Sequence, residues 1–226
     1  MKREIRLTSD GSSTIHLPDW NENYHSTHGA IQEAKHVFIQ HGFDAISTST
    51  ISILEIGFGT GLNCFITLIE AEKKNVVIEY VGVEAYPVSR EEIDQLNYVT
   101  ELKEESKKHL FEEIHLCSWE DKYLVTSGFS LLKRQQFFQE IEDVNCFDLI
   151  YFDAFGAEHQ PQLWTAIIFK KMLKALKLNG ILVTYCAKGS VRRALQEVGF
   201  NVERLQGPPG KREMLRAIKT EVSSIK

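Results

Sequence analysis

From residue 50 onward, short apolar segments alternate with longer amphipathic segments along the chain. Apolar runs of this length, bounded by glycine, proline or polar residues, are typical of strands buried on both faces of a parallel sheet. The pattern predicts five such strands, over residues 50–58, 78–86, 113–119, 147–155 and 180–187. Helical periodicity predicts the helices between them, over residues 62–73, 91–110, 161–178 and 189–198. Strands that alternate with helices predict a doubly wound α/β sheet.

The last part of the chain departs from this alternation. Two strand-like segments, 200–207 and 212–219, flank a Pro208-Pro209-Gly210 corner with no helix between them. We therefore predict a Rossmann-like α/β fold whose seven-stranded sheet is mostly parallel, with the last strand antiparallel. Residues 120–146 lack a clear period and are expected to cover one edge of the sheet.

The first 45 residues follow a different pattern. Alternating residues on both sides of Asp10-Gly11 predict a hairpin, since that dipeptide suits a tight turn. Residues 29–41 then predict a helix. The expected organisation is an N-terminal hairpin and helix extension over residues 1–45, followed by one domain over residues 46–226.

Composition limits the classes of function. The chain has 226 residues with 26 basic and 31 acidic side chains, a net charge of −5, which argues against a general nucleic-acid binder. Its four cysteines are far apart and its eight histidines form no ligand-spaced cluster, so we expect reduced thiols and no metal. The N-terminus has no apolar leader and no run of 18 apolar residues exists, so we expect a cytoplasmic protein.

A glycine-rich turn follows the first predicted strand. Gly57, Gly59 and Gly61 let the backbone turn tightly and approach a ligand at the start of a helix. The spacing departs from the dinucleotide pattern G-x-G-x-x-G, because Leu62 occupies the position of its third glycine. Glu55 would repel a pyrophosphate but can hold a ligand ammonium group. A tight turn without a ligand is the alternative.

Acidic and aromatic residues end the next two predicted strands. Glu84 lies where an acid can accept both hydroxyls of a ribose, although a solvated acid at a strand end is the alternative. Trp119 can stack on a base while Glu120 accepts its amino group, or Trp119 can simply cover the core. With the glycine turn, these features resemble the class I S-adenosylmethionine-dependent methyltransferases.

A closer resemblance extends over residues 20–218. The chain resembles the methyltransferase module of the bacterial tRNA 5-methylaminomethyl-2-thiouridine biosynthesis protein family. The residues that carry the resemblance lie in six segments, namely Asn23-Tyr24-His25-Ser26 with Gly29 and Glu33, the turn Gly57 to Asn63, Glu84-Ala85-Tyr86-Pro87, Phe152-Asp153-Ala154-Phe155 with Pro161 and Trp164, Val191 to Gln196, and Gly210 to Leu215.

The resemblance implies a reaction. Members of this family methylate the amine of an aminomethyl group on the wobble uridine of certain tRNAs, with S-adenosylmethionine as cofactor and the anticodon stem-loop as partner. The resemblance also adds Asn63 to the cofactor site. It places Tyr24 and His25 in the substrate site, although His25 can equally be structural. Asp153, at the end of a strand, would accept an N–H of the amine and orient its lone pair.

The remaining substrate residues are aromatic or basic. Phe155 and Trp164 would form walls of the uracil pocket, although an aromatic residue on such a helix is as often part of the core. Residues 188–219 contain eight basic and three acidic side chains, a net charge of +5. Phosphate contacts are expected from five of the basic side chains, although such a stripe can also be a solvated face, and these five are Lys188, Arg192, Arg193, Lys211 and Arg212.

Two other functions remain open. The first is a methyltransferase or aminopropyltransferase that acts on a small amine, and the second is a non-catalytic tRNA-binding module. Because no second glycine-rich dinucleotide turn occurs in the sequence, we expect a stand-alone methyltransferase. Its aminomethyl substrate would then come from a separate enzyme or pathway.

Overall fold

A central eight-stranded sheet organises the protein, whose computed structural model describes residues 2–221. The strand order is β10-β11-β9-β8-β4-β5-β7-β6. The bounds are β4 Thr50–Ile56, β5 Val77–Val83, β6 Lys122–Thr126, β7 Phe129–Arg134, β8 Phe147–Phe152, β9 Leu176–Thr184, β10 Phe200–Gln206 and β11 Glu213–Lys219.

The sheet changes its winding direction at β4. Strand β4 pairs in parallel with β5 on one side and with β8 on the other. In such sheets, ligands bind in the crevice beyond the carboxyl ends of the strands where the order reverses. Strand β11 lies antiparallel between β9 and β10, so the predicted mostly parallel fold with an inserted final hairpin is confirmed.

Alternate residues of the central strands enter two separate cores. Ile53 packs in the core on one face of the sheet and Leu54 in the core on the other, and both are fully buried. The same division applies to Leu149 and Ile150 on β8. Burial on both faces explains why these strands are almost continuously apolar in the sequence.

Seven α-helices cover the sheet and its edges. Their bounds are α1 Ala30–Ala34, α2 Leu62–Lys74, α3 Arg90–Ile93, α4 Tyr98–Glu101, α5 Lys108–Leu116, α6 Ala166–Ala175 and α7 Gly189–Glu197. Helix α1 continues as a π-helix over Lys35–Gln40. Within residues 2–221, no helix is both long enough and apolar enough to cross a membrane.

The region between β5 and β8 differs from the prediction. The predicted strand over 113–119 is wrong, because residues up to Leu116 belong to α5, which buries Leu110, Phe111 and Ile114 on one face. The third parallel strand is instead β7, and its hairpin partner β6 is the eighth strand of the sheet. The predicted helix over 91–110 is divided into α3, α4 and a 3-10 turn before α5 begins.

The N-terminal segment forms its own small sheet. Strands β1 Glu4–Leu7 and β2 Ser13–Leu17 pair antiparallel around the predicted turn, and β3 Glu22–Asn23 adds a third strand. The Arg3 guanidinium donates to the carbonyl oxygens of Tyr86 at 2.9 Å and Pro87 at 3.3 Å, and to Glu92 Oε2 at 3.1 Å. The small sheet is thereby attached to the segment that follows β5.

Candidate active site

A cavity of about 770 Å³ lies at the carboxyl ends of β4, β5 and β8. The main domain contributes Gly57, Gly59, Glu84 and Asp153 to its wall. The N-terminal segment closes the opposite side with residues that include Arg3, Trp20, Asn23, Tyr24 and His25. The crevice expected at the switch point is therefore a chamber formed by both parts of the chain.

The glycine turn is folded closely against the end of β8. Gly57, Gly59 and Gly61 have φ angles of 87°, 48° and 69°. A Cβ on Gly57 would lie 2.6 Å from the carbonyl oxygen of Asp153, so this position has no room for a larger residue. Gly61 is the N-cap of α2 and, unlike Gly57 and Gly59, does not line the cavity.

Glu84 lies beside this turn at the end of β5. Its Oε2 accepts the Gly59 N–H at 3.1 Å, and its Oε1 accepts the Tyr86 N–H at 2.9 Å. Each carboxylate oxygen keeps a lone pair for a ligand. The two backbone bonds fix the orientation of the carboxylate, which lines the cavity.

Glu55 has a different position from the one expected of a ligand-binding acid. Its side chain is fully buried and does not line the cavity. Asn63 Nδ2 donates to Oε1 at 2.9 Å, and the Tyr80 hydroxyl donates to Oε2 at 2.8 Å. Burial raises the pKa of Glu55 well above its usual value, against the hydrogen bonds from Asn63 and Tyr80, which lower it. The expectation of direct contact with a ligand ammonium is therefore corrected to a supporting position behind Asn63.

Asn63 connects Glu55 with Asp153. The same Nδ2 donates its other hydrogen to Asp153 Oδ2 at 2.9 Å. Within residues 2–221, no donor reaches the buried Oδ1 of Asn63, although Asn63 lines the cavity. Burial and the negative charge of Glu33 raise the pKa of Asp153 to about 7. The hydrogen bond from Asn63 and the positive charge of Lys211 lower it, but by less.

Aromatic rings surround the mouth of the cavity near Asp153. Phe155 meets Tyr24 edge-on at 4.9 Å between ring centroids, and Trp20 meets Phe155 edge-on at 5.8 Å. All three rings line the cavity. Trp164 does not, because its ring is buried in the core and its Nε1 donates to the Phe155 carbonyl at 2.8 Å. Its expected place in the pocket wall is corrected to a support beneath Phe155.

His25 lines the cavity and is also part of a hydrogen-bonded chain. Its Nδ1 lies 3.3 Å from Thr14 Oγ1 and its Nε2 lies 3.3 Å from Thr60 Oγ1, to which the Tyr98 hydroxyl donates at 3.1 Å. Burial lowers the pKa of His25 to about 4, so the ring is neutral at pH 7. Both expected positions, in the substrate site and in the structure, are compatible with this geometry.

Trp119 and Glu120 lie outside the cavity. Trp119 forms an isolated β-bridge with Lys133. The Lys133 ammonium lies 5.1 Å from the centre of the Trp119 ring. Glu120 Oε1 accepts the Gln135 N–H at 2.7 Å. The expected adenine contacts are corrected because these residues precede β6 instead of ending a parallel strand.

The segment after β7, the third parallel strand, lines the cavity instead of Trp119 and Glu120. Phe137, Phe138 and Gln139 follow β7 and line the cavity. Phe137 is 45% exposed and meets the ring of Tyr86 edge-on at 6.0 Å between centroids. The sequence signal was the pair of phenylalanines, which indicates a base-binding edge only once β7 is recognised as a strand.

None of the five basic residues expected to bind phosphate lines the cavity. Lys188 pairs with Glu158 at 2.6 Å on the surface, and Lys211 pairs with Glu33. Arg193 and Arg212 are exposed, while Arg192 is half-buried. A basic surface can therefore include the exposed Arg193 and Arg212, but the ammonium of Lys211 is already held by a carboxylate.

Other residues of the cavity wall were missed because distant segments supply them. Arg3 belongs to the N-terminal arm, Ser89 caps α3 by accepting the Glu92 N–H, and Tyr185 follows β9. No local pattern in the sequence connects these positions. The folded chain brings these three positions to the wall of one cavity.

Comparisons with known proteins point to one class. Residues 123–220 match a family model described as S-adenosyl-L-methionine-dependent methyltransferase. The tRNA 5-methylaminomethyl-2-thiouridine biosynthesis bifunctional protein MnmC of Delftia acidovorans is 30% identical over 237 residues, covering 96% of this chain and 35% of that protein. Its namesake from Leptospira borgpetersenii is 29% identical over 214 residues, covering 87% and 32%. The chain thus spans about a third of the length of these relatives.

Solved structures agree with this. MnmC2 from Aquifex aeolicus is 26% identical with a TM-score of 0.78, covering 96% of this chain and 69% of that chain. Spermidine synthase from Thermotoga maritima, 14% identical with a TM-score of 0.53 over 97% and 72%, shares the fold alone.

The sheet order and the glycine turn at the switch point agree with the family match, which is to the S-adenosylmethionine-dependent methyltransferases. Within that class the resemblance of the chain to the MnmC proteins is confirmed, and it extends over almost the whole sequence.

The site also fits the cofactor of that class by its own chemistry. The cavity combines a glycine turn, an oriented carboxylate at Glu84, a second carboxylate at Asp153, and an apolar end at Phe137 and Phe138. A nucleoside joined to an amino acid through a sulfonium needs these features, namely acceptors for hydroxyl and ammonium groups and an apolar place for a base. S-adenosylmethionine is the cofactor.

Proposed function

We propose that this chain transfers a methyl group from S-adenosylmethionine to the amine of 5-aminomethyl(-2-thio)uridine at the wobble position of tRNA, giving 5-methylaminomethyl(-2-thio)uridine. The observation that carries this most is the position of Asp153, a carboxylate between the glycine turn and an aromatic mouth. The name of the similar MnmC proteins supplies the substrate class.

We assign the cofactor to the deep side of the cavity. Glu84 would accept the ribose hydroxyls, and Phe137 and Phe138 would enclose the base. The backbone of Gly57 and Gly59 would hold the amino-acid end beside Asn63, which also lines the cavity. Once bound, the cofactor supplies an electrophilic methyl group on sulfur.

Asp153 prepares the substrate amine. Only a neutral amine has a free lone pair, and an alkylamine has a pKa of about 10 in water, so it arrives mostly protonated. The enclosed cavity disfavours the ammonium form. Asp153 Oδ2 is engaged by Asn63, so Oδ1 is the oxygen that accepts the amine N–H and directs the lone pair. With a pKa near 7, Asp153 accepts a proton more readily than an ordinary aspartate does.

The aromatic mouth accounts for the base that carries the amine. Tyr24, Phe155 and Trp20 present apolar rings where a uracil extruded from an anticodon loop would enter. RNA-binding proteins recognise unpaired bases by stacking them on such rings. Arg193 and Arg212 would contact neighbouring phosphates.

The function is tested with labelled S-adenosylmethionine and tRNA that carries the unmethylated aminomethyl uridine, followed by digestion to nucleosides. The expected result is label in a wobble nucleoside, formed at a strongly reduced rate with Asp153→Asn. Label in small amines alone would replace this function by the small-amine transferase. No label in either pool, although the cofactor binds, would indicate a non-catalytic tRNA-binding module.

A further inference from the structure

A partly buried ion pair joins two distant segments of the chain. The Lys211 ammonium pairs with Oε1 of Glu33, whose side chain is only 9% exposed. The other oxygen, Oε2, accepts the Ser26 N–H at 3.0 Å. The two partners are 178 positions apart in the sequence. Glu33 belongs to α1 and Lys211 to the corner between β10 and β11.

The same corner is pressed against the N-terminal segment. Gly210 has a φ of 82°, and a Cβ there would collide with the ring of His28. The backbone thus approaches the segment more closely than any larger residue allows. Lys211 therefore cannot turn outward to a phosphate without breaking a buried contact.

Lys211 also touches the wall of the cavity. Its ammonium lies 4.0 Å from the centre of the Tyr185 ring, close enough for a cation–π contact. Tyr185 lines the cavity, and its hydroxyl donates to the Ala154 carbonyl at 2.8 Å. The ion pair thus supports one wall of the pocket next to Asp153.

We infer that Lys211 and Glu33 form a positioning pair for Asp153 and Tyr185, and that Lys211 is not a phosphate contact. The inference rests on the proposed function, because it assigns the pair a role in preparing the substrate amine. The groups that face Asp153 are the carboxyls of Glu33 and Glu55, the Lys211 ammonium and the Tyr185 phenol. Asn63 adds its neutral amide.

The two partners act on Asp153 with opposite signs. The negative charge of Glu33 raises the pKa of Asp153, and the positive charge of Lys211 lowers it. Burial raises the pKa of Tyr185 above that of an ordinary phenol, so Tyr185 is neutral at pH 7, and burial also raises the pKa of Glu55. Removing Glu33 should therefore lower the pKa of Asp153, and removing Lys211 should raise it. A merely structural defect would not shift this pKa in opposite directions in the two variants.

The test compares Lys211→Met, Glu33→Gln, the double variant and Lys211→Arg. In Lys211→Met the acid limb of the pH profile of kcat should move to higher pH, and in Glu33→Gln to lower pH, each by on the order of one pH unit. The double variant, which removes both charges, should return towards the wild-type limb. Lys211→Arg keeps the positive charge and should retain the wild-type position of the acid limb. Shifts in one common direction, or none, would overturn the inference.

A comparison with Arg212→Met distinguishes positioning from phosphate contact. If Lys211 binds no phosphate, Lys211→Met should leave the slope of log affinity for tRNA against log salt unchanged and lower kcat more than it raises KM. Arg212→Met should reduce that slope by about one and leave the acid limb in place. A loss of slope in Lys211→Met equal to that in Arg212→Met would refute the inference.

A direct measurement keeps the pair testable if the proposed function fails. Carbon-13 NMR of labelled aspartate carboxyls follows the titration of Asp153, assigned through Asp153→Asn, without any substrate. The same opposite shifts should appear in Lys211→Met and Glu33→Gln. If tRNA is not methylated but the shifts appear, the proposed function fails and the pair stands. If tRNA is methylated and the shifts are absent, the pair fails.

Discussion

Asn63 donates one N–H of its amide to Asp153 Oδ2 and the other to Glu55 Oε1, both at 2.9 Å. A single side chain thus separates a buried carboxyl from the one at the cavity. Glu55 in turn accepts from the Tyr80 hydroxyl, so the orientation of Asp153 is fixed through three consecutive buried groups. The amide oxygen of Asn63 is buried and accepts no hydrogen bond from residues 2–221.

Replacing Asp153 by Asn should reduce turnover without loss of the cofactor. The Asn side chain keeps an oxygen for the Asn63 N–H but cannot take a proton from an ammonium. We expect kcat for tRNA methylation to fall by about 100-fold or more, the usual size of a lost proton-transfer group. The affinity for S-adenosylmethionine, measured by calorimetry, should change by less than about threefold. Single-turnover methylation at a near-normal rate would contradict the assignment.

The pH dependence of the wild-type enzyme should show the same group. Methyl transfer needs both a neutral amine and an ionised Asp153, whose pKa is about 7. The slope of log(kcat/KM) against pH should therefore steepen by about one unit below pH 7. In Asp153→Asn this steepening should be absent. An unchanged break in the variant profile would assign it to another group.

The raised pKa of Asp153 also predicts a stability gain on its removal. A carboxyl whose folded pKa lies above its unfolded value contributes stability at low pH that is lost as the pH rises through the folded pKa. At pH 8 the buried charge is unfavourable, so Asp153→Asn should raise the free energy of unfolding by about 1–3 kcal/mol. At pH 4 the two proteins should differ little. Urea denaturation at both pH values measures this, and a destabilised variant at pH 8 would contradict it.

Two glycine substitutions should differ sharply in cofactor binding. A Cβ at Gly57 would lie 2.6 Å from the Asp153 carbonyl at a positive φ, whereas one at Gly128 would meet nothing within 4 Å. We expect Gly57→Ala to weaken S-adenosylmethionine binding at least about tenfold through 1–3 kcal/mol of strain. Gly128→Ala should bind within about twofold of wild type. Equal affinity in both variants would remove the turn from the cofactor site.

Arg3 and Arg6 provide a matched pair for the N-terminal wall. Arg3 donates to Tyr86, Pro87 and Glu92, while Arg6 is half exposed and donates to Glu4 on its own strand. Arg3→Ala should raise the Kd of S-adenosylmethionine about tenfold, since hydrogen bonds from a charged donor contribute roughly 1.5–3 kcal/mol. Arg6→Ala should leave it unchanged. If both variants bind alike, the arm does not shape the cavity.

Much of the fold follows from the sequence because burial on two faces produces an unmistakable pattern. The strands around the switch point, including β4 and β8, are continuous apolar runs, and the last hairpin is marked by its proline corner. The segment before β6 misleads because E-I-H-L-C-S-W alternates like a strand. In the structure, Leu110, Phe111 and Ile114 form the buried face of α5, which continues to Leu116. Periodicity alone does not distinguish a helix from a strand in so short a segment.

The site was predictable where a residue acts through its own strand end. Glu84 and Asp153 end β5 and β8, so their place at the cavity follows from the parallel sheet. The burial of Glu55 was not predictable, because it depends on Tyr80 from the neighbouring strand. Likewise, a count of charges cannot reveal that Lys211 already has a carboxylate partner 178 positions away.

The contacts of the N-terminal segment determine when parts of the site can form during synthesis. Arg3 meets the loop after β5 once some 90 residues have been made, but the partner of Glu33 comes only with the β10–β11 corner. During synthesis Asp153 and Tyr185 therefore precede Lys211, and they gain the support of the Lys211–Glu33 pair only after residue 211 has been made. A nascent chain that has not reached this corner should carry Asp153 without the pair.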